Sequence, residues 1–111
     1  MKDINSASQS RLKVSEDVIL TVAKLAALDV KGVSRLSGEM NLLSKLRNNA
    51  PIKIVFMGDV IAVDIRIIVC SSAKACAVAE SVQTAVKENI QNMTGVAVAR
   101  VNVIVDGVEF E

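Results

Sequence analysis

The sequence predicts an α/β domain of the α+β kind: a two-layer sandwich in which a small mixed sheet of about four strands carries two long helices on one face. Three observations predict it. Two stretches, about 15–31 and 74–93, place apolar residues at helical spacing, and each is followed closely by a glycine. Four others, 33–36, 52–57, 60–69 and 96–105, alternate their side chains as strands do. The unit from Val60 to Val105 reads strand, helix, strand, which implies a right-handed crossover between parallel strands.

Residues 1–12 are polar and aperiodic and read as a flexible arm; the domain occupies 13–111. Ser15 is a candidate helix cap, with Glu16 and Asp17 suited to the positive end. Val18, Ile19, Val22, Leu25, Ala26 and Val30 then share a stripe that Gly32 ends. Asp29 falls near the centre of that stripe, and Leu20, Ala27 and Leu28 fall beside the polar side. A short strand, Val33 to Leu36, follows. The stretch 38–51 admits a turn or two of helix with Leu42, Leu43 and Leu46 inward, although Pro51 opposes helix just before it. Gly58-Asp59 is a hairpin turn between strands Ile52–Met57 and Val60–Val69.

The second helix spans about Lys74 to Met93. Ala75, Val78, Ala79, Val82, Ala85, Val86, Ile90 and Met93 form its apolar stripe, with Asn89 at the edge. Gly95 closes it. Val96 to Val105 is the last strand, and Asp106-Gly107 turns the chain into a tail.

Alternation predicts which side of the sheet the helices cover. Ile61, Val63, Ile65, Ile67 and Val69 face one way with Ala97, Ala99, Val101, Val103 and Val105, and with Ile52, Ile54 and Phe56. The opposite, open face mixes charge with branched apolar side chains: Lys53, Val55, Arg66, Ile68, Val98, Arg100, Asn102 and Ile104. This is the candidate partner surface. Asp64 and Arg66 lie there too, and an ion pair between Asp64 and Arg100 is the ordinary expectation.

The chemistry that is missing narrows the function. Among 111 residues there is no histidine, tyrosine or tryptophan. Most general-base, triad and zinc arrangements are therefore excluded. Cys70 and Cys76 have five residues between them, which fits no C-x-x-C motif. The glycines are too dispersed for a phosphate loop or a G-x-x-G clamp. No catalytic, cofactor or metal site is expected. A net charge of +1 and 2% aromatic residues give no drive toward nucleic acid. The first ten residues lack the apolar segment of a signal peptide, and no run approaches the ~18 apolar residues of a membrane span. The expected compartment is a reducing cytoplasm.

Three fragments, "VSEDVILTVAKLAALDVKGVSRLSG", "GDVIAVDIRIIV" and "VAESVQTAVKENIQNMTGVAVARVNVIVDGV", resemble the alkaline shock protein family of Gram-positive bacteria. The helix ending in Met-Thr-Gly before a V-x-V-x-V strand is the most specific part. The resemblance spans about Lys13 to Val108. It departs at "CSSAKA", where members tend toward a Glu-Tyr-Gly-like stretch, and in the middle loop. It implies a cytoplasmic protein linked to envelope stress; some members are held at the inner face of the membrane by a separate anchor protein, and some self-associate. It carries no catalytic residues. The expected function is thus a non-enzymatic scaffold or interaction domain with protein partners, a homo-oligomer among its forms, and no direct membrane insertion. The alternatives are a KH-like RNA-binding module and, less favoured by the residues, a thiol redox protein using Cys70 and Cys76.

Overall fold

The computed structural model describes residues 14–38 and 50–110. The expected arm, and most of the 38–51 stretch with Leu42, Leu43 and Leu46, lie outside the described residues. The elements in chain order are α1 (Glu16–Leu28), β1 (Val33–Leu36), β2 (Ile52–Met57), β3 (Val60–Cys70), α2 (Ala75–Thr94) and β4 (Ala97–Glu109). The predicted two-layer fold is the observed one.

α1 starts as its sequence dictates. Ser15 is extended, and its Oγ accepts a bond from the Val18 N–H at 3.3 Å. The helix stops at Leu28, and Asp29 is an exposed C-cap, outside any apolar stripe. The buried arc is Ile19, Leu20, Val22, Ala23, Ala26 and Ala27. It is rotated from the expected stripe, because α1 packs against both the sheet and α2. Leu20 and Ala27 lie inside, while Val18 and Leu25 are exposed.

β1 and β2 lie end to end along one edge of β3, both antiparallel to it. β2 pairs with residues 60–65 and β1 with 67–69. Arg66 sits at the junction: its N–H donates to the Pro51 carbonyl at 2.8 Å, and its carbonyl accepts from the Ser37 N–H at 2.9 Å. The Gly58-Asp59 turn forms the hairpin as predicted. β4 runs parallel along the whole other edge of β3.

α2 ends at Gly95, whose φ of 76° is left-handed and whose N–H donates to the Gln91 carbonyl. Val78, Val82, Val86 and Ile90 fill its inner stripe. Met93 is not part of it; Thr94 is, satisfied by bonding the Ile90 carbonyl and accepting from the Val96 N–H. Asn89 is likewise satisfied within the helix, donating to the Ala85 carbonyl at 2.7 Å. The core is aliphatic throughout. Ile19, Ile61, Val63, Ile65, Ile67, Val82, Val86 and Ile90 are each at most 2% exposed. Each such burial contributes roughly 1.5–3 kcal/mol before conformational entropy is counted.

β4 departs most from expectation. Asp106-Gly107 is not a turn: the strand continues to Glu109 through an irregularity at Asp106, and a second falls at Ala99. Each inserts one residue and reverses which side the chain presents. Val98 consequently shares a level with Ile61, is 5% exposed and belongs to the core. It is withdrawn from the open face.

Candidate functional site: the open sheet face

Register places the remaining candidates in rows across the uncovered face. Val55, Ala62 and Arg100 form one row, and Lys53, Asp64 and Asn102 the next. Arg66 lies beside Ile104, and Arg35 and Gly107 flank Ile68. Lys53, Asp64, Arg66 and Ile104 meet with Ala50 and Pro51 around a hollow of about 80 Å³. That is far below the roughly 300–1,000 Å³ of a small-molecule pocket. A shallower depression of about 670 Å³, lined by Val30, Lys31, Glu80, Thr84 and Glu88 among others, lies on the helix side.

The charges pair differently from the expected Asp64–Arg100 contact, which is not formed. Arg66 instead holds Asp106 in a two-pronged contact, Nε to Oδ2 at 2.8 Å and Nη2 to Oδ1 at 3.1 Å. The Ser37 hydroxyl donates to the same Oδ2 at 2.8 Å. Alongside, Glu109 Oε1 accepts from the Ser34 hydroxyl at 2.7 Å and from Arg35 Nε at 3.1 Å. These two clusters bridge the β1 side and β4 across β3. Arg66's bond, then Ser37's, holds the Asp106 carboxyl below its ordinary 3.8. Ser34's bond, then Arg35's, does the same for Glu109 relative to 4.5. Partial burial opposes both shifts.

The strand register brings Lys53, Val55, Arg66, Ile68, Arg100, Asn102 and Ile104 to one face, and Arg66 there is occupied by Asp106, a partner the sequence did not reveal. Its partner was hidden because Asp-Gly was read as a turn. The half-buried Ile68 is flanked by Arg35 and Gly107 and is a poor contact residue. Lys53, Val55, Arg100 and Asn102 are exposed and Ile104 is half-buried. Cys70 is half-buried at the end of β3, and Cys76 is exposed in the first turn of α2; neither forms a disulfide.

Fold and face together define a small two-layer α+β domain with a mixed polar and apolar sheet surface. MamM-CTD in its copper form has this fold: TM-score 0.62 at 20% identity, covering 85% of this chain and 87% of that one. A single-site variant of MamM-CTD gives 0.64 at 19%, covering 86% and 100%. At such identities the likeness concerns fold alone. The chain belongs to the alkaline shock protein 23 family, described by a cell envelope-related function, whose profile matches residues 4–110. Among its relatives in Bacillus subtilis (strain 168), YloU is 32% identical over 105 residues, covering 88% of each chain. YqhY is 24% identical over 106 residues, covering 91% of this chain and 78% of its own.

Proposed function

We propose that the chain serves its family's envelope-related role as a non-enzymatic interaction domain, binding a protein partner through the open sheet face. One observation carries the reading: Lys53, Val55, Arg100, Asn102 and Ile104 share an uncovered surface that the fold does not use for its core. Apolar area flanked by charge suits protein recognition, with burial supplying affinity and charge supplying register. The absence of histidine and tyrosine from the sequence favours binding over catalysis. Among the described residues no helix is long and apolar enough to cross a membrane. The partner this reading favours is a membrane-anchor protein that would hold the chain at the inner, cytoplasmic face of the membrane. The test is photocrosslinking in the native host from a reactive residue at position 100, with position 84 on α2 as control. Adducts from position 100 alone are expected. Adducts from position 84 alone would place the partner on the helix layer and overturn the reading.

A further inference from the structure

The sheet has two long edges, and they are built differently. β4 is guarded. Its ladder is broken at Ala99 and Asp106, it carries Arg100, Asp106 and Glu109, and α2 already occupies parts of its backbone. Gln91 Oε1 accepts from the Val98 N–H, and Gln83 Nε2 donates to the Val101 carbonyl, each at 3.2 Å. Bulges, charges and covering groups are how natural sheets prevent edge pairing.

β2 carries fewer of these devices among the described residues: Pro51 at its start and the exposed Lys53, both at one end of the strand. Its register with β3 is unbroken from Ile52 to Met57, and Lys53 is its one charge. Among the described residues no strand pairs with its outer side. The direction of its backbone follows from one bond. Arg66 donates to the Pro51 carbonyl, so Pro51, Lys53, Val55 and Met57 turn their polar groups toward β3. The N–H and C=O groups of Ile52, Ile54 and Phe56 therefore point outward. The last three side chains are exposed on both sides of the strand: Val55 by 50%, Phe56 by 55% and Met57 by 39%. Phe56 lies on the helix side, so the helix layer stops short of it.

We infer that the outer edge of β2 pairs antiparallel with β2 of a second copy, about a twofold axis at Val55. This register sets Val55 opposite the second copy's Val55, and each Ile54 opposite a Phe56. The Ile54–Phe56 positions are those with outward N–H and C=O groups, so they exchange ladder bonds, while the valines form the closer pair between them. Each Lys53 faces a Met57. The two lysines are then about 14 Å apart along the strands, at ~3.4 Å per residue, beyond the screening length of about 8 Å in physiological salt. The net charge of +1 opposes association little. The axis stands perpendicular to the sheet, so both helix layers lie on one side and the two open faces join. The dimer does not depend on the partner reading above.

One ladder with a few side chains is a small interface, so dissociation constants on the order of 10–100 µM are expected. Sedimentation velocity of the full chain across a concentration series reads the dimer directly. Phe56→Pro removes an outward amide without removing a bond to β3. Val55→Lys sets like charges face to face. Each should weaken dimerisation by about tenfold or more, whereas Arg100→Glu should not. Hydrogen exchange in the unmodified chain should show the Ile54 and Phe56 amides gaining protection with concentration, while those of Val55 and Met57 are protected throughout. If Phe56→Pro fails to fold, Val55→Lys and the exchange pattern decide. A chain monomeric at millimolar concentration, or a dimer that both folded variants leave intact, overturns the inference.

Discussion

Replacing Gly32 by alanine tests the packing of α1, β1 and α2 together. Gly32 has φ of 103°, and a Cβ there would lie 2.6 Å from Val78 Cγ2 and 3.1 Å from Ala73 Cβ. Val78 is buried in the first turns of α2 and cannot swing away freely. Gly32 is also tied from the other side, since its carbonyl accepts from the Cys70 N–H at 2.8 Å. The backbone conformation costs an L-residue about 1–2 kcal/mol, and overpacking adds about 1–3 kcal/mol. Gly32→Ala should thus destabilise by about 2–5 kcal/mol, lowering the urea midpoint by on the order of 1–2 M. Gly95→Ala is the control: it shares the positive φ, but a Cβ there meets nothing within 4 Å. It should show the backbone cost of about 1–2 kcal/mol alone. Combining Gly32→Ala with Val78→Ala should recover about 1–2 kcal/mol relative to the sum of the single changes, because the clash is relieved. A Gly32→Ala midpoint equal to that of Gly95→Ala, or strict additivity in the double variant, would refute the close-approach argument.

Other outcomes follow from the same geometry. The Asp106 and Glu109 carboxyls have folded pKa values below their unfolded ones, so their stabilisation is present above about pH 4.5 and is lost as pH falls through the depressed values. Thermal melts should fall more steeply with acid for the native chain than for Asp106→Asn; parallel curves would deny the Arg66–Asp106–Ser37 contact a thermodynamic role. Val98→Ala should cost about 2 kcal/mol by urea unfolding, while Arg100→Glu stays within about 0.5 kcal/mol; the reverse order would put Val98 back on the surface. Cys70→Ala with Cys76→Ser should leave complementation in a host lacking the native copy intact, and loss of function in a folded variant would revive the redox reading. RNA binding by fluorescence anisotropy should be weak and without sequence selectivity at physiological salt, and a selective sub-micromolar complex would return the KH-like alternative.

The fold was legible because its signals are local or short in range. Ser15 as a cap, Gly95 as a stop, the two-residue hairpin and the aliphatic alternation of β3 each specify geometry within a few residues. The rotation of α1 was not legible. Whether Leu25 or Ala23 turns inward depends on α2 as well as on the sheet, and a helix covered on two sides has a wider buried arc than periodicity assigns. Asp29 appeared to be a buried charge only because the helix was carried one turn too far. Gly32 was read correctly as incompatible with helix, but the reason for its position lies in Val78, far along the chain.

The open face was harder to read because its composition depends on two insertions in one strand. A perfectly alternating β4 with Val101 inward would expose Val98 and lose part of the apolar cover beneath α2. The irregularity at Ala99 prevents this, and Gln91 on the Val98 N–H supports the altered backbone. Beyond Val105 a second reversal at Asp106 brings Gly107 beside Ile68, where a Cβ would lie 3.3 Å from Ile68 Cδ1. The same insertion presents the Asp106 carboxylate to Arg66 and Ser37. An aspartate that binds across the strand and a glycine that fits against Ile68 are the two residues most often read as a turn. Here they have opposite consequences for the surface: the strand is lengthened, Arg66 is held by the fold, and the cations of the face without an ion pair among the described residues are Lys53 and Arg100. Those two positions flank Val55, so the charge left for recognition lies beside the most exposed apolar side chain of the open sheet face.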